Sequence, residues 1–245
     1  MGRLTVETIF LPRLLEPRHI QRKSVVVFDV LRATTSITAA LAVGVKEVRL
    51  FGDLDSAAQA AEAFGDGALL CGESQTVKPP GFDLGNSPGD FQKNLHAGRT
   101  AFMATTNGTK ALIAAREAQA LFAGALVNAA AISRELIGRQ LPVTLLCAGT
   151  RCQIALEDVL GAGAVLHHLL TDVDAEPTGD GTMMSLQLFQ LHQHSLPQVL
   201  EQTAGGRHII AAGLRDDIPF CARLDDLPIV GSVHDNPLRV VKLDS

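Results

Sequence analysis

The chain has 245 residues, 47% apolar and 19% charged, enough for one large domain or two small ones with ample material for a buried core. Aromatic residues are only 4%, without Trp or Tyr, so that core is expected to be aliphatic. A net charge of −5 and the lack of any Lys or Arg run give no global attraction for nucleic acid, and no apolar stretch approaches the ~20 residues of a bilayer span.

In chain order, apolar strand candidates fall at 4–10, 24–30, 47–51, 68–72, 101–105, 120–124 and 143–149. Helix candidates lie between most of them, at 34–43, 54–64, 107–118, 129–139 and 153–170. Nearly continuous apolar strands alternating with Ala-rich helices predict an α/β fold, three layers deep, with a mostly parallel sheet in which some mixed pairing is allowed. Two stretches break the rhythm. "GESQTVKPPGFDLGNSPGDF" (72–91) reads as a long ordered loop, and loops of that kind are often functional. "TDVDAEPTGDGT" (171–182) reads as a solvated linker between helices. Beyond it lie two or three helices, broken near Pro197 and at Gly205–Gly206, and then short β-like pieces separated by prolines. One α/β domain over 1–245 is favoured, with 180–245 as a subregion rather than a second core.

The amino terminus lacks a long apolar region, so no signal peptide is expected and a cytoplasmic protein is the simplest reading. The four cysteines show no metal-type spacing and do not read as a disulfide framework. The aliphatic surplus and a mean hydropathy of +0.20 make a homodimer a further expectation.

Open α/β sheets bind ligands at the carboxyl ends of their strands, and four such ends carry reactive groups: "DVLRATTS" (29–36), "CGES" (71–74), "ATTNGT" (104–109) and "CAGTR" (147–151). "ATTNGT" and "ATTS" place hydroxyls and backbone N–H groups at helix starts, which suits either an oxyanion cradle or ordinary N-caps. Arg32, just before a helix N-terminus, calls for something negative nearby. A phosphate or sulfonate would serve, and so would Asp29 or solvent. Asp29 closes a strand that reads as buried, and Glu73 ends another. Glu157 and Asp158 sit in an otherwise apolar helix, and Asp83 lies in the long loop. Such hard oxygen donors near an anion cradle suggest Mg²⁺. As a set they are harder to dismiss than singly, when each acid reads as a cap or an Asp–Arg partner.

Several chemistries are absent. No P-loop, G-x-G-x-x-G turn or G-x-S-x-G elbow occurs. Cys147 and Arg151 are too close for the loop of a cysteine phosphatase, and Leu31 stands where an aspartate-nucleophile phosphatase has its second aspartate. His167, His168, His192 and His194 read as helix-surface residues, and His208 and His234 carry no signal.

With "DVLRATTS", "GES" (72–74), "KPPGFDLGNSP" (78–88), "TTNGT" (105–109) and "CAG…ALED" (147–158) assembled in this order, the chain resembles the 2-phosphosulfolactate phosphatase family. The resemblance covers nearly the first two-thirds of the chain. It implies Mg²⁺-dependent removal of phosphate from a small acid that also carries carboxylate and sulfonate, of the kind associated with coenzyme M biosynthesis. Candidate catalytic residues are then Asp29, Arg32 and Asn107. Candidate substrate contacts are Thr34, Thr35, Ser36, Lys78, Asn86, Thr105, Thr106, Gly108, Thr109 and Arg151. Mg²⁺ would be held by some of Asp29, Glu73, Glu157 and Asp158. Direct attack by water and a phospho-Asp29 intermediate both stay open. So do a phosphatase of other small phospho-acids or sugar phosphates, and a non-catalytic anion sensor.

Overall fold

The computed structural model describes residues 3–243. Its strands are β1 (Leu4–Ile9), β2 (Ser24–Phe28), β3 (Glu47–Phe51), β4 (Ala68–Gly72), β5 (Thr100–Ala104), β6 (Ala120–Gly124), β7 (Val143–Cys147), β8 (Ala175–Thr178), β9 (Gly231–His234) and β10 (Arg239–Lys242). Its helices are α1 (Ala33–Ala42), α2 (Leu54–Phe64), α3 (Lys93–His96), α4 (Gly108–Ala114), α5 (Ala129–Arg139), α6 (Leu156–Asp172), α7 (Asp180–His192), α8 (Leu196–Gln202), α9 (Ala204–Ala211) and α10 (Asp217–Cys221). The strands form one ten-stranded sheet in the order β4-β5-β3-β10-β9-β6-β2-β7-β1-β8. The α/β class and mostly parallel sheet expected from the sequence are therefore observed.

Alternation along β2 separates the two apolar layers. Val26 and Phe28 face a core completed by Ile132 of α5, Leu160 and Leu166 of α6 and Phe189 of α7. Val25 and Val27 face the other core, with Ile37 and Leu41 of α1 and Leu112 of α4. Helix α6 must pass close to both neighbours. A Cβ at Gly161 would meet Phe28 and Val30 side-chain atoms at 2.8 Å, and one at Gly163 would stand 2.1 Å from Ser185 O. The small residues of "GAGAVL" are therefore a packing device between sheet and helix.

Three features differ from the sequence reading or go beyond it. The stretch read as a linker, 171–182, holds β8, which pairs in parallel with β1 in the register Val6↔Pro177. Its proline is tolerated because β8 is the last strand of the sheet and needs no second partner. Direction also changes across the sheet. The pairs β3–β10, β10–β9 and β9–β6 are all antiparallel, so the carboxy-terminal hairpin joins two parallel blocks that run oppositely. The break read at Gly205–Gly206 falls instead at Thr203, whose side chain caps α9, and both glycines lie in the first turn of α9. A Cβ at Gly206 would sit 1.8 Å from Leu200 O, so that turn closes against α8 only without side chains.

Among the described residues, no helix is long and apolar enough to cross a membrane.

Candidate active site

Although the two parallel blocks run oppositely, the segments that follow β2, β4, β5 and β7 line one pocket of about 250 Å³. From β2 to β5 the sheet takes five strand-to-strand steps. At roughly 20–25° of twist per step, that accumulates to more than a right angle and swings the blocks towards each other. Asp29, Arg32, Glu73, Asn86, Thr106, Asn107 and Arg151 share this pocket with Gln75, Thr76, Gly205 and His208.

Helix α1 is buried from Ala33 to Leu41, so the hydroxyls of "ATTS" need partners inside the protein. Thr34 Oγ1 accepts from Asp29 N at 3.0 Å, and Thr35 Oγ1 donates to Val30 O at 2.8 Å. Ser36 Oγ donates to Asn86 O at 2.7 Å. These three residues brace the turn and the long loop, and they do not line the pocket. Thr105 and Thr109 behave alike: Thr109 N donates to Thr105 Oγ1 at 3.1 Å, and Thr109 Oγ1 donates to Thr105 O at 3.0 Å. Of that turn, Thr106 and Asn107 reach the cavity.

Asp29 is buried where α1 and α4 begin. Burial pushes its carboxyl up to about 7; the amides of Ala33 and Gly108 oppose this, while the charges of Glu73 and Glu157 add to it. Gly108 fits only as glycine, since a Cβ there would lie 2.5 Å from Ala33 Cβ and 2.6 Å from Asp29 Oδ2.

The other acids divide. Asp158 accepts from Val30 N and Gly149 N, both at 2.9 Å, and so ties the end of β2 to the end of β7. Glu73 accepts from Thr76 N and Thr106 N, both at 2.7 Å, joining the loop after β4 to the turn after β5. Glu157 is only 1% exposed, and neither of its oxygens has a hydrogen-bond partner among the described residues. Burial raises its carboxyl, although its own amide and the nearby Thr203 hydroxyl, which donates to Leu200 O at 3.0 Å, oppose the rise. A Cβ at Gly205 would land 1.9 Å from Glu157 Oε1, so α9 closes over this carboxylate only because residue 205 lacks a side chain. Among the described residues no three Asp, Glu, His or Cys side chains are arranged to hold a metal ion by themselves. Asp83 is engaged elsewhere, accepting from Leu70 N at 2.8 Å.

Arg32 finds its negative partner in Asp217 of α10, not in Asp29: Nη1 donates to Asp217 Oδ2 at 2.7 Å and to Ser87 Oγ at 3.0 Å, and Nη2 donates to Thr76 O. Lys78 does not line this pocket. It flanks a neighbouring cavity of about 410 Å³ that shares Arg32, Thr76 and Asn86 with it.

Two tight turns overhang the opening. Ser74–Val77 and Thr150–Gln153 are each closed by a reciprocal pair of backbone hydrogen bonds. Their central residues, Gln75 and Thr76 (φ 50 and 78) and Arg151 and Cys152 (φ 52 and 61), all lie in left-handed space without a glycine. That geometry is typical of two-residue hairpin turns, and a β-branched residue such as Thr76 is strained in it. Arg151 thus stands at a hairpin tip over the pocket.

Sequence reasoning missed Asp217, Ser87, Thr76 and His208. Asp217 is 185 residues from its partner, and nothing in "LRDDIPF" separates it from Asp216. Ser87 alone had a signal, its place within "GNSP".

The family model described as 2-phosphosulpholactate phosphatase matches residues 9–236. The chain belongs to this family. The resemblance carried by the motifs is thus borne out, and it extends through the carboxy-terminal third, which supplies Asp217 and α9. A protein of Carboxydothermus hydrogenoformans, named probable 2-phosphosulfolactate phosphatase, is 36% identical over 239 residues, 97% of either chain. One of Synechococcus sp. (strain CC9605) with the same name is 38% identical over 222 residues, 87% of this chain and 90% of its own. A third, from Symbiobacterium thermophilum, is 37% identical over 206 residues, 84% of this chain and 88% of its own.

Proposed function

We propose that this chain is a Mg²⁺-dependent phosphatase that hydrolyses 2-phosphosulfolactate to sulfolactate and phosphate. The observation that carries the reading is the charge balance of the pocket. Asp29 and Glu73 face Arg32 and Arg151, but Arg32 is already neutralised by Asp217, and the unpartnered Glu157 lies behind. A substrate bearing phosphate, carboxylate and sulfonate would be repelled from such a pocket without an added cation.

The donors fit that ion. They are carboxylate oxygens, the ligands Mg²⁺ prefers, and it takes one or two of them together with solvent and substrate oxygens. Asp29, which lines the pocket, and Glu157, whose oxygens accept no hydrogen bond among the described residues, are the residues that would hold it, while Asp158 and Glu73 tie backbone segments together. When bound, the ion supplies positive charge to the phosphoryl oxygens.

The chain's own groups do the rest. The Ala33 and Gly108 amides, at the starts of α1 and α4, favour the charged form of Asp29. Arg32 and Asn86 present donors to the phosphoryl group from the opposite wall, Arg151 faces the acid groups from its turn, and α9 covers Glu157. Asp29→Asn and Arg32→Ala, assayed by phosphate release, test the assignment. Each is expected to lower turnover by roughly 10²-fold or more, as loss of a preorganised charge contact does. Full turnover in both variants would refute it.

A further inference from the structure

The guanidinium of Arg32 is held more completely than binding a substrate requires. Of its five N–H groups, the two on Nη1 go to Asp217 Oδ2 and Ser87 Oγ, and one on Nη2 goes to Thr76 O. Ser87 Oγ in turn donates to Asp217 Oδ2 at 2.8 Å, closing a ring of three hydrogen bonds. Arg32, Ser87 and Asp217 are all buried. Among the described residues nothing accepts Nε–H. Both Arg32 and Asn86 line the pocket.

A free arginine side chain gives up considerable rotamer freedom when it grips an oxyanion. Here that freedom is already removed by partners outside the reacting centre. We infer that Asp217 and Ser87 are positioning residues: they lock Arg32 so that its Nε edge, beside the Asn86 amide, stands ready for one oxyanion. The strained Thr76 backbone belongs to the same clamp, because its left-handed conformation accompanies a carbonyl directed at Nη2. The inference rests on the phosphatase reading for the identity of the oxyanion, and on geometry alone for the clamp.

The test is a double-mutant cycle read in two ways: the affinity for inorganic phosphate by calorimetry in Mg²⁺ buffer, and kcat and KM for 2-phosphosulfolactate. Asp217→Asn keeps the shape of the side chain and one acceptor, and Ser87→Ala leaves the ion pair in place, so at least one variant folds. Asp217→Asn is expected to weaken phosphate binding and kcat/KM by about 10- to 100-fold, the range seen when outer-shell partners are removed, and Ser87→Ala by severalfold. In an Arg32→Ala background, Asp217→Asn should change phosphate affinity less than about twofold, since coupled residues do not act additively. An equal loss in both backgrounds, or wild-type phosphate affinity in Asp217→Asn and Ser87→Ala, overturns the clamp and leaves the phosphatase reading intact. If the wild-type protein binds phosphate with the expected non-additivity but releases none from 2-phosphosulfolactate, the clamp stands and the substrate reading falls.

Discussion

The two ends of the central strands treat their acids in opposite ways. At the amino-terminal end, Glu7 of β1 meets Lys23 and accepts from Thr144 Oγ1 at 2.8 Å. Burial pushes its carboxyl up, but the hydrogen bonds from Lys23 and Thr144 and the Lys23 charge outweigh it, and the group sits below its usual range. At the carboxyl end, Asp29, Glu157 and Asp158 are buried, and burial raises all three, with repulsion from neighbouring acids adding to it at Asp29 and Asp158. One end matches each charge within the fold. The other leaves a negative surplus that only something from outside can balance. A fold selected for stability alone would have no reason to keep the second arrangement, and that contrast separates a structural polar cluster from a binding site here.

The contrast can be broken most severely at Gly108. Gly108→Ala drives a methyl group into Asp29 and Ala33, and overpacking of this kind destabilises by about 1–3 kcal/mol. Thermal unfolding should show that loss, and phosphate release should fall by roughly 10²-fold as Asp29 is displaced.

Asp29→Asn sharpens it in the other direction. In metal-free protein at pH 8 this variant should melt higher than wild type while losing activity, with a gain of about 1–3 kcal/mol, since each pKa unit is worth about 1.4 kcal/mol and asparagine serves the two amides less well. The pH dependence has a definite sign. Well below the ordinary carboxyl value of 3.8, Asp29 is neutral in both folded and unfolded chains, and the gain vanishes. It grows from there to about pH 7, where the folded carboxyl ionises, and is constant above.

The smallest effect belongs to the balanced end. Glu7→Gln should cost about 1 kcal/mol near neutral pH, a modest figure because the pair is partly exposed to solvent. Its carboxyl is lowered in the folded state, so its contribution is present above the ordinary carboxyl range and is lost as pH falls through the lowered value. Denaturant melts of wild type and variant should therefore converge in acid. Opposite pH trends at Glu7 and Asp29 are the signature of the two ends.

Local pattern carried much of this into view. The apolar runs at 47–51, 68–72 and 120–124, and the helices at 54–64 and 129–139, coincide with β3, β4, β6, α2 and α5, because each is a self-contained local pattern, α2 with its Asp53 cap. What escaped depends on partners distant in sequence. The pairing of β9 and β10 with β6 and β3 reverses the sheet, yet "GSVH" and "RVVK" hold no hint of their neighbours. The run 171–182 read as a linker because its polar residues show no apolar period, and its strand β8 is held only by pairing with distant β1. The threonines of "ATTS" drew attention as anion donors, but burial of α1 turns their hydroxyls inward. His168 read as a surface residue and instead pairs half-buried with Asp225 at 2.8 Å, an acid that also accepts from Ala130 N at the start of α5. The motif acids reached the right end of the molecule, but their division into amide-bound braces and an unpartnered Glu157 required coordinates.

The most direct measurement is phosphate release from 2-phosphosulfolactate after exhaustive chelation, followed by titration with Mg²⁺, for wild type, Asp29→Asn and Glu157→Gln. Activity that disappears on chelation, returns with Mg²⁺ in the wild type, and needs far more Mg²⁺ or does not return in the two variants is the expected result. Undiminished turnover in the chelated wild-type protein, or wild-type Mg²⁺ dependence in both variants, would contradict a site whose unbalanced carboxylates await a cation.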